Sequence, residues 1–283
     1  DGELYLEFHR GTYTSQAYNK KMNRRLEFYL RNVEMLSVIA NQLLKVPYDK
    51  EKLLEAWKIV LCHQFHDILP GSSIKEVYDD SREEYGKALT LINEVMGNVN
   101  KGLIEEKADT YTIWNNSNWK RDSYVCVPGA SEEDCFMDEN GTVLSSTIQN
   151  GDAIVLVKDM EPFSFVTLTK AKRVDINSKK TLQTNQVSTK YYNISWNENG
   201  QLTSIYDKEA DREVLPEGKL GNVLQVFEDK PRFFDAWELE PTIDLKKDIV
   251  KECKDIQVEE NDLGIFVSFT WEYHKSEIKQ IMC

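Results

Sequence analysis

Cysteine is scarce in this sequence and follows no pattern. Cys62, Cys126, Cys135, Cys253 and Cys283 are odd in number and form no C-x-x-C pair. That argues against a disulfide-stapled fold and favours a reducing, cytoplasmic setting. Long apolar runs are missing too: nothing approaches the roughly 20 residues that span a bilayer, and no signal pattern heads the chain. Internal repeats and low-complexity tracts are absent. Positive charge is in deficit, with 35 Lys+Arg against 48 Asp+Glu and a net charge of −13. Such a surface repels phosphates and anionic lipid, so neither nucleic acid nor membrane is expected as a partner. The deficit is uneven: residues 1–102 carry 14 basic and 15 acidic side chains, and the remainder 21 and 33.

What is present is globular. Hydrophobic residues make up 41% of 283 and charged residues 29%, enough for one large domain or two ordinary ones. The chain opens DGELYLEFHRG, already patterned and without a starting Met, as expected of a processed product or an excised fragment. Two sequons, at Asn115 and Asn193, read as chance when no secretion signal accompanies them.

Two periods divide the chain. From about Ser15 to Leu44, Met22, Leu26, Leu30, Val33, Leu36, Ala40 and Leu43 recur at steps of three and four, the mark of an amphipathic helix. Pro47 stops it, and Asp49 is placed to cap a second helix whose expected buried stripe is Leu53, Leu54, Trp57, Leu61 and Phe65. Pro70-Gly71 is the expected end of that helix. Ser73-Ile-Lys-Glu76 has the form of a capping box opening a third helix that runs to about Ile104. After residue 108 the period becomes two. Short β-rich runs alternate with turns at Asn140-Gly141, Asn150-Gly151 and Asn199-Gly200. The expectation is an α+β chain: an antiparallel three-helix bundle over 1–106, then an antiparallel β-sandwich over 107–283 that is cut short.

Chemistry concentrates in CHQFHDILPGSS. His63 and His66 are three apart and Asp67 follows, a grouping that suits a metal. Taken alone the pair also fits hydrogen-bonded histidines near a helix end. A hydrolytic zinc needs about three protein ligands plus an open position, and no partner with ligand spacing stands nearby. Asp235-Ala-Trp237 offers a carboxylate and an indole to a sugar, or else a Trp packed in the sandwich beside a surface Asp. EFHRGTYTSQ either lines a polar pocket or leads into the first helix.

Three stretches resemble one family. LYLEFHRGTYTSQAYNKKMNRRLE, HQFHDILPGSSIKEVYDD and SIYDKEADREVL…GNVLQVFEDKPRFFDAW are similar to glycoside hydrolase family 38, the α-mannosidases, in the family's own order and over nearly the whole chain. The resemblance implies a zinc-dependent retaining enzyme acting on mannose-containing oligosaccharides. It implies that His66, within Gln64-Phe65-His66-Asp67, binds zinc and that Asp67 hydrogen-bonds sugar hydroxyls. His63 matches no family ligand. His9, Asp235 and Trp237 are expected on the substrate side. The family's His-x-Asp zinc pair, its nucleophile and its general acid match nothing here, nor does any strand–helix alternation. The expected partner is therefore a preceding N-terminal catalytic domain, without which the chain is expected to be inactive. The alternative is a stand-alone carbohydrate-binding or scaffold module in which Trp196, Trp237 or Trp271 stacks on sugars.

Overall fold

The computed structural model describes residues 9–149, 151–173, 180–240 and 242–283. The chain divides into two compact units. One runs to Lys107 and includes Glu228–Leu245; the other comprises Ala108–Phe227 and Lys246–Cys283. Residues 228–245, expected within the sandwich, thus group with the helices. Asn150 and residues 1–8, which include the first five residues of the family-like stretch beginning at Leu4, lie outside the described residues. No described helix is long and apolar enough to cross a membrane.

Helices α1 (Ala17–Leu44), α2 (Lys50–Cys62) and α3 (Lys75–Leu103) form the bundle, each packed on the other two. The α1 stripe is buried as its period requires through Met22, Leu26, Leu30, Val33, Leu36 and Ala40, whereas Leu43, in the last turn, is exposed. Asp49 caps α2, its side chain accepting from the Lys52 N–H at 3.2 Å. The buried face of α2 is Leu53, Ala56 and Val60, whereas Leu54, Leu61 and Phe65 are exposed. The period was right and the phase wrong, because small Ala56 allows close approach on a face that hydrophobicity alone undervalues.

The end of α2 also differs from expectation. The helix stops at Cys62 with His63 as its C-cap, well before Pro70. Beyond it the i→i+4 ladder gives way to tighter bonds, Gln64 N–H to Leu61 O at 3.2 Å and Phe65 N–H to Cys62 O at 3.1 Å. His63 and His66 therefore do not share a helical face. The capping box does not form either. Ser73 gives its hydroxyl to the Asp67 carbonyl and its N–H to Tyr78 Oη, so Ile74 stands at the N-cap with no side-chain bond. A loop bond has taken the side chain that a local rule assigned to the helix.

Among the described residues the strand pairs of the β-rich unit are antiparallel, and two hydrophobic cores lie among them. Thr110–Trp114, Phe165–Lys172 and Asp134–Met137 make one sheet; Arg121–Pro128, Asp152–Met160 and Ser146–Gln149 make a second. Val127, Phe136, Val155 and Leu168 are buried in their shared core. Further along, Tyr192–Trp196 and Leu202–Asp207 belong to one four-stranded sheet, and Cys253–Asn261, Gly264–Tyr273 and Ser276–Met282 to another. Trp196, Val258, Phe269 and Trp271 fill this second core. Period-two alternation specifies such inward faces. Asn115 is 1% exposed and its amide donates to the carbonyls of Trp119, Met160 and Glu161, a structural amide with no room for a glycan.

Candidate functional site

Three irregular segments of the helical unit are tied together: residues 9–16 before α1, residues 63–74 between α2 and α3, and residues 228–240. Each carries backbone groups that no helix satisfies, so the bonds among them define how they fold. Gly11 N–H donates to Trp237 O at 2.6 Å, and Ser15 Oγ donates to Ala236 O at 2.8 Å. Lys20 Nζ donates to Ser15 O at 2.6 Å and to Leu69 O at 2.9 Å, joining the first segment to the second. Partial burial lowers the pKa of Lys20, as desolvation disfavours its charged form. Gly71, at φ +95°, sits against the backbone of Ser15, where a Cβ would come within 2.6 Å of Ser15 Cβ. Only glycine combines that dihedral with that approach.

His66 and Asp67 project from the middle segment. The His66 side chain is 79% exposed and that of Asp67 47%, with His66 Nε2 at 3.3 Å from Asp67 Oδ2. The Phe65 ring lies 4.3 Å from the His66 ring, centroid to centroid. The Asp67 carbonyl is held by Ser73 Oγ, and the Ile68 carbonyl accepts from Tyr78 Oη at 3.3 Å. Two functional groups thus face outward from a backbone fastened beneath them. Gln64 reaches the other way, its amide donating to Asn23 Oδ1 at 3.1 Å and Glu27 Oε1 at 2.8 Å on α1.

His9 and Trp237 meet, with ring centroids 4.3 Å apart. The His9 N–H donates to Glu238 Oε1 at 3.2 Å, and Phe234 stacks on Trp237 with centroids at 5.9 Å. With Phe233, Leu239 and Glu240 these residues line a shallow pocket of about 330 Å³. Phe233 and Phe234 are 74% and 68% exposed, and Phe234 holds a φ of +53°, a conformation that bulky residues rarely adopt. Asp235, which follows them, is exposed. Trp237 accordingly packs in the helical unit and not in a sandwich. Trp196 and Trp271 are 2% and 1% exposed and have no face to offer a sugar.

His63 is buried, with Nδ1 at 3.2 Å from Ser81 Oγ and Nε2 at 2.8 Å from Glu84 Oε2. The latter is an ion-pair distance without hydrogen-bond alignment. Burial, with Tyr18 and Glu27 nearby, pushes the Tyr85 phenol beside it up to about 12. Among the described residues no group of three or more His, Cys, Asp or Glu is arranged to hold a metal ion. An outward imidazole with an adjacent carboxylate has the donor chemistry of a zinc site but only a share of its ligands.

Lys20, Gly71 and Phe233-Phe234 take roles here that the sequence did not announce, whereas Ser15 lies within EFHRGTYTSQ. No local signal marks Lys20, a helix lysine like its neighbour Lys21. Gly71 was read only as a helix stop, and the Phe pair only as part of a matching stretch.

Comparison with known proteins assigns this architecture. Residues 7–103 match the alpha mannosidase middle domain, and residues 187–283 match the glycosyl hydrolases family 38 C-terminal domain. The chain belongs to glycoside hydrolase family 38. It is similar to "Alpha-mannosidase G" of Dictyostelium discoideum, 31% identical over 279 residues, covering 84% of this chain and 25% of that protein. It is likewise similar to "Alpha-mannosidase 2C1" of Mus musculus, at 30% over 241 residues, 84% of this chain and 22% of the relative. The chain therefore spans about a quarter of the length of these curated relatives. Among solved structures, an alpha-mannosidase from Enterococcus faecalis V583 shares the fold with a TM-score of 0.65 at 17% identity, over 92% of this chain and 35% of that one.

Proposed function

We propose that this chain forms the helical and β-rich part of a zinc-dependent, retaining α-mannosidase that removes terminal mannose from mannose-containing oligosaccharides. Its family membership and the names of its relatives support the substrate class. The observation that carries the site is the bonding of three irregular segments of the bundle to one another. These segments bear His66 and Asp67, His9, and Asp235 with Trp237.

In this reading His66 contributes one neutral imidazole nitrogen to the metal, and Asp67 accepts hydroxyl protons of the bound mannose. Zinc, when bound, supplies Lewis-acid polarisation and a template for neighbouring sugar hydroxyls. The indole of Trp237, backed by His9, offers an apolar face to a pyranose, while Asp235 and Glu238 supply acceptors for its hydroxyls. A retaining mechanism uses two carboxylates, one as nucleophile and one as acid and then base. Neither is assigned to a residue of this chain; both are expected from a catalytic domain that joins it. Cytoplasmic residence is part of the proposal and rests on cysteine usage.

The test is His66→Ala in the full-length protein, read as zinc content and mannoside hydrolysis. Both should fall; retention of both would remove His66 from the site.

A further inference from the structure

His63 is the histidine that the proposed metal site leaves unused, yet its side chain is only 4% exposed. A buried imidazole is costly unless its polar edges are matched. Here α3 satisfies one edge and sets a carboxylate, without hydrogen-bond alignment, against the other. Ser81 Oγ donates its single proton to Val77 O at 2.8 Å, so at 3.2 Å it can only accept, and His63 Nδ1 is the donor. Nε2 faces Glu84 Oε2 at 2.8 Å, and the ring lies 4.7 Å from the buried Tyr85 ring. The next residue, Gln64, binds α1 through Asn23 and Glu27. Consecutive side chains at the end of α2 thus fasten it to the two other helices. From this anchor the backbone reaches His66 in three residues, past the bond of Phe65 N–H to Cys62 O.

We propose that His63, Gln64 and Glu84 form a positioning clamp that sets the aim of His66 and Asp67. The proposal rests on the metal and sugar roles of that pair. None of the three clamp residues touches metal or sugar; they act through the backbone they hold. Sites of this kind need their groups held to about 0.5 Å, and a misplacement of about 1 Å can cost roughly 100-fold in rate.

The experiment uses the full-length protein and compares His63→Ala, His63→Asn and Glu84→Gln with Val60→Ala, a core truncation on the same helix. Zinc retention against a chelator, kcat and KM for a mannoside, and Tm are read for each. The clamp predicts that His63→Ala weakens zinc retention about tenfold or more, the scale seen when outer partners of metal ligands are removed, and lowers kcat. His63→Asn, which returns a donor toward Ser81, should recover part of both. Glu84→Gln, at a half-exposed position that tolerates the change, should show a smaller loss in the same direction and keeps the test open if His63→Ala does not fold. Val60→Ala should lower Tm and leave zinc retention unchanged. Wild-type zinc retention and kcat in the folded His63 and Glu84 variants would overturn the clamp, as would equal losses in Val60→Ala. If His66→Ala itself leaves zinc and turnover intact, the site reading fails and the clamp falls with it. If only His66→Ala is impaired, the clamp alone fails.

Discussion

Gly71 and Ser15 touch where neither has room for a larger neighbour, and that contact is the sharpest single-residue constraint near the site. Gly71→Ala would place a Cβ at 2.6 Å from Ser15 Cβ at a φ of +95°. The expected loss is about 2–3 kcal/mol, the upper part of the range for single substitutions with a named strain, measured as a lower denaturant midpoint at unchanged m-value. Lys20→Met would leave the carbonyls of Ser15 and Leu69 without their donor. About 1–3 kcal/mol should be lost by the same measurement, with turnover of the full-length protein falling as residues 9–16 and 63–74 lose their tie. The motif around His66 was legible in the sequence as a motif. The resemblance already set His63 apart from His66, but what holds His63 was not legible. That hold depends on Ser81 and Glu84, eighteen or more positions away, and no spacing rule reaches that far.

At the level of the element, α2 shows how a correct period can carry a wrong phase. Leu54 and Leu61 are 49% and 57% exposed, and Val60 is fully buried. Leu61→Lys should therefore change stability by no more than about 0.5 kcal/mol. Val60→Ala should cost about 2 kcal/mol through lost transfer energy and a residual cavity, both read from thermal or chemical unfolding. In the strands, two carboxylates are tuned by their neighbours. The Ser131 N–H at 2.8 Å and Lys172 hold Asp134 down to about 2. The Ser204 hydroxyl at 2.6 Å, with the backbone N–H groups of Leu215 and Ile205, holds Glu213 at about 2. Because both folded values lie below the ordinary value near 4, their stabilisation is present above about pH 4. It is lost as pH falls from about 4 through 2. Tm should drop across that window, and Asp134→Asn should flatten part of the drop; an unchanged slope would show that Asp134 contributes nothing. Strand alternation and the Asn-Gly turns were readable because they are local. The failed capping box was not, since the Asp67 carbonyl and Tyr78 took Ser73's bonds.

Across the whole molecule, the prediction concerns what this chain does by itself. The proposed site draws a single imidazole and one neighbouring carboxylate from this chain, too few ligands for tight zinc binding. The purified 283-residue chain should bind zinc weakly in a titration and show no mannoside hydrolysis, while addition of a catalytic domain should raise both. Measurable hydrolysis by the chain alone would contradict the division of labour proposed above.

The class of architecture, the order of helices and strands, the family and the motif that carries His66 and Asp67 are legible in the linear chain. All of these are written in short windows of period, turn chemistry and residue identity. Folding settles which face of α2 is buried, where that helix stops, that residues 228–240 group with the helices, and that His9 meets Trp237. These outcomes depend on contacts between residues tens to hundreds of positions apart. There, packing space and competition for hydrogen bonds, which no local pattern encodes, select among locally acceptable alternatives.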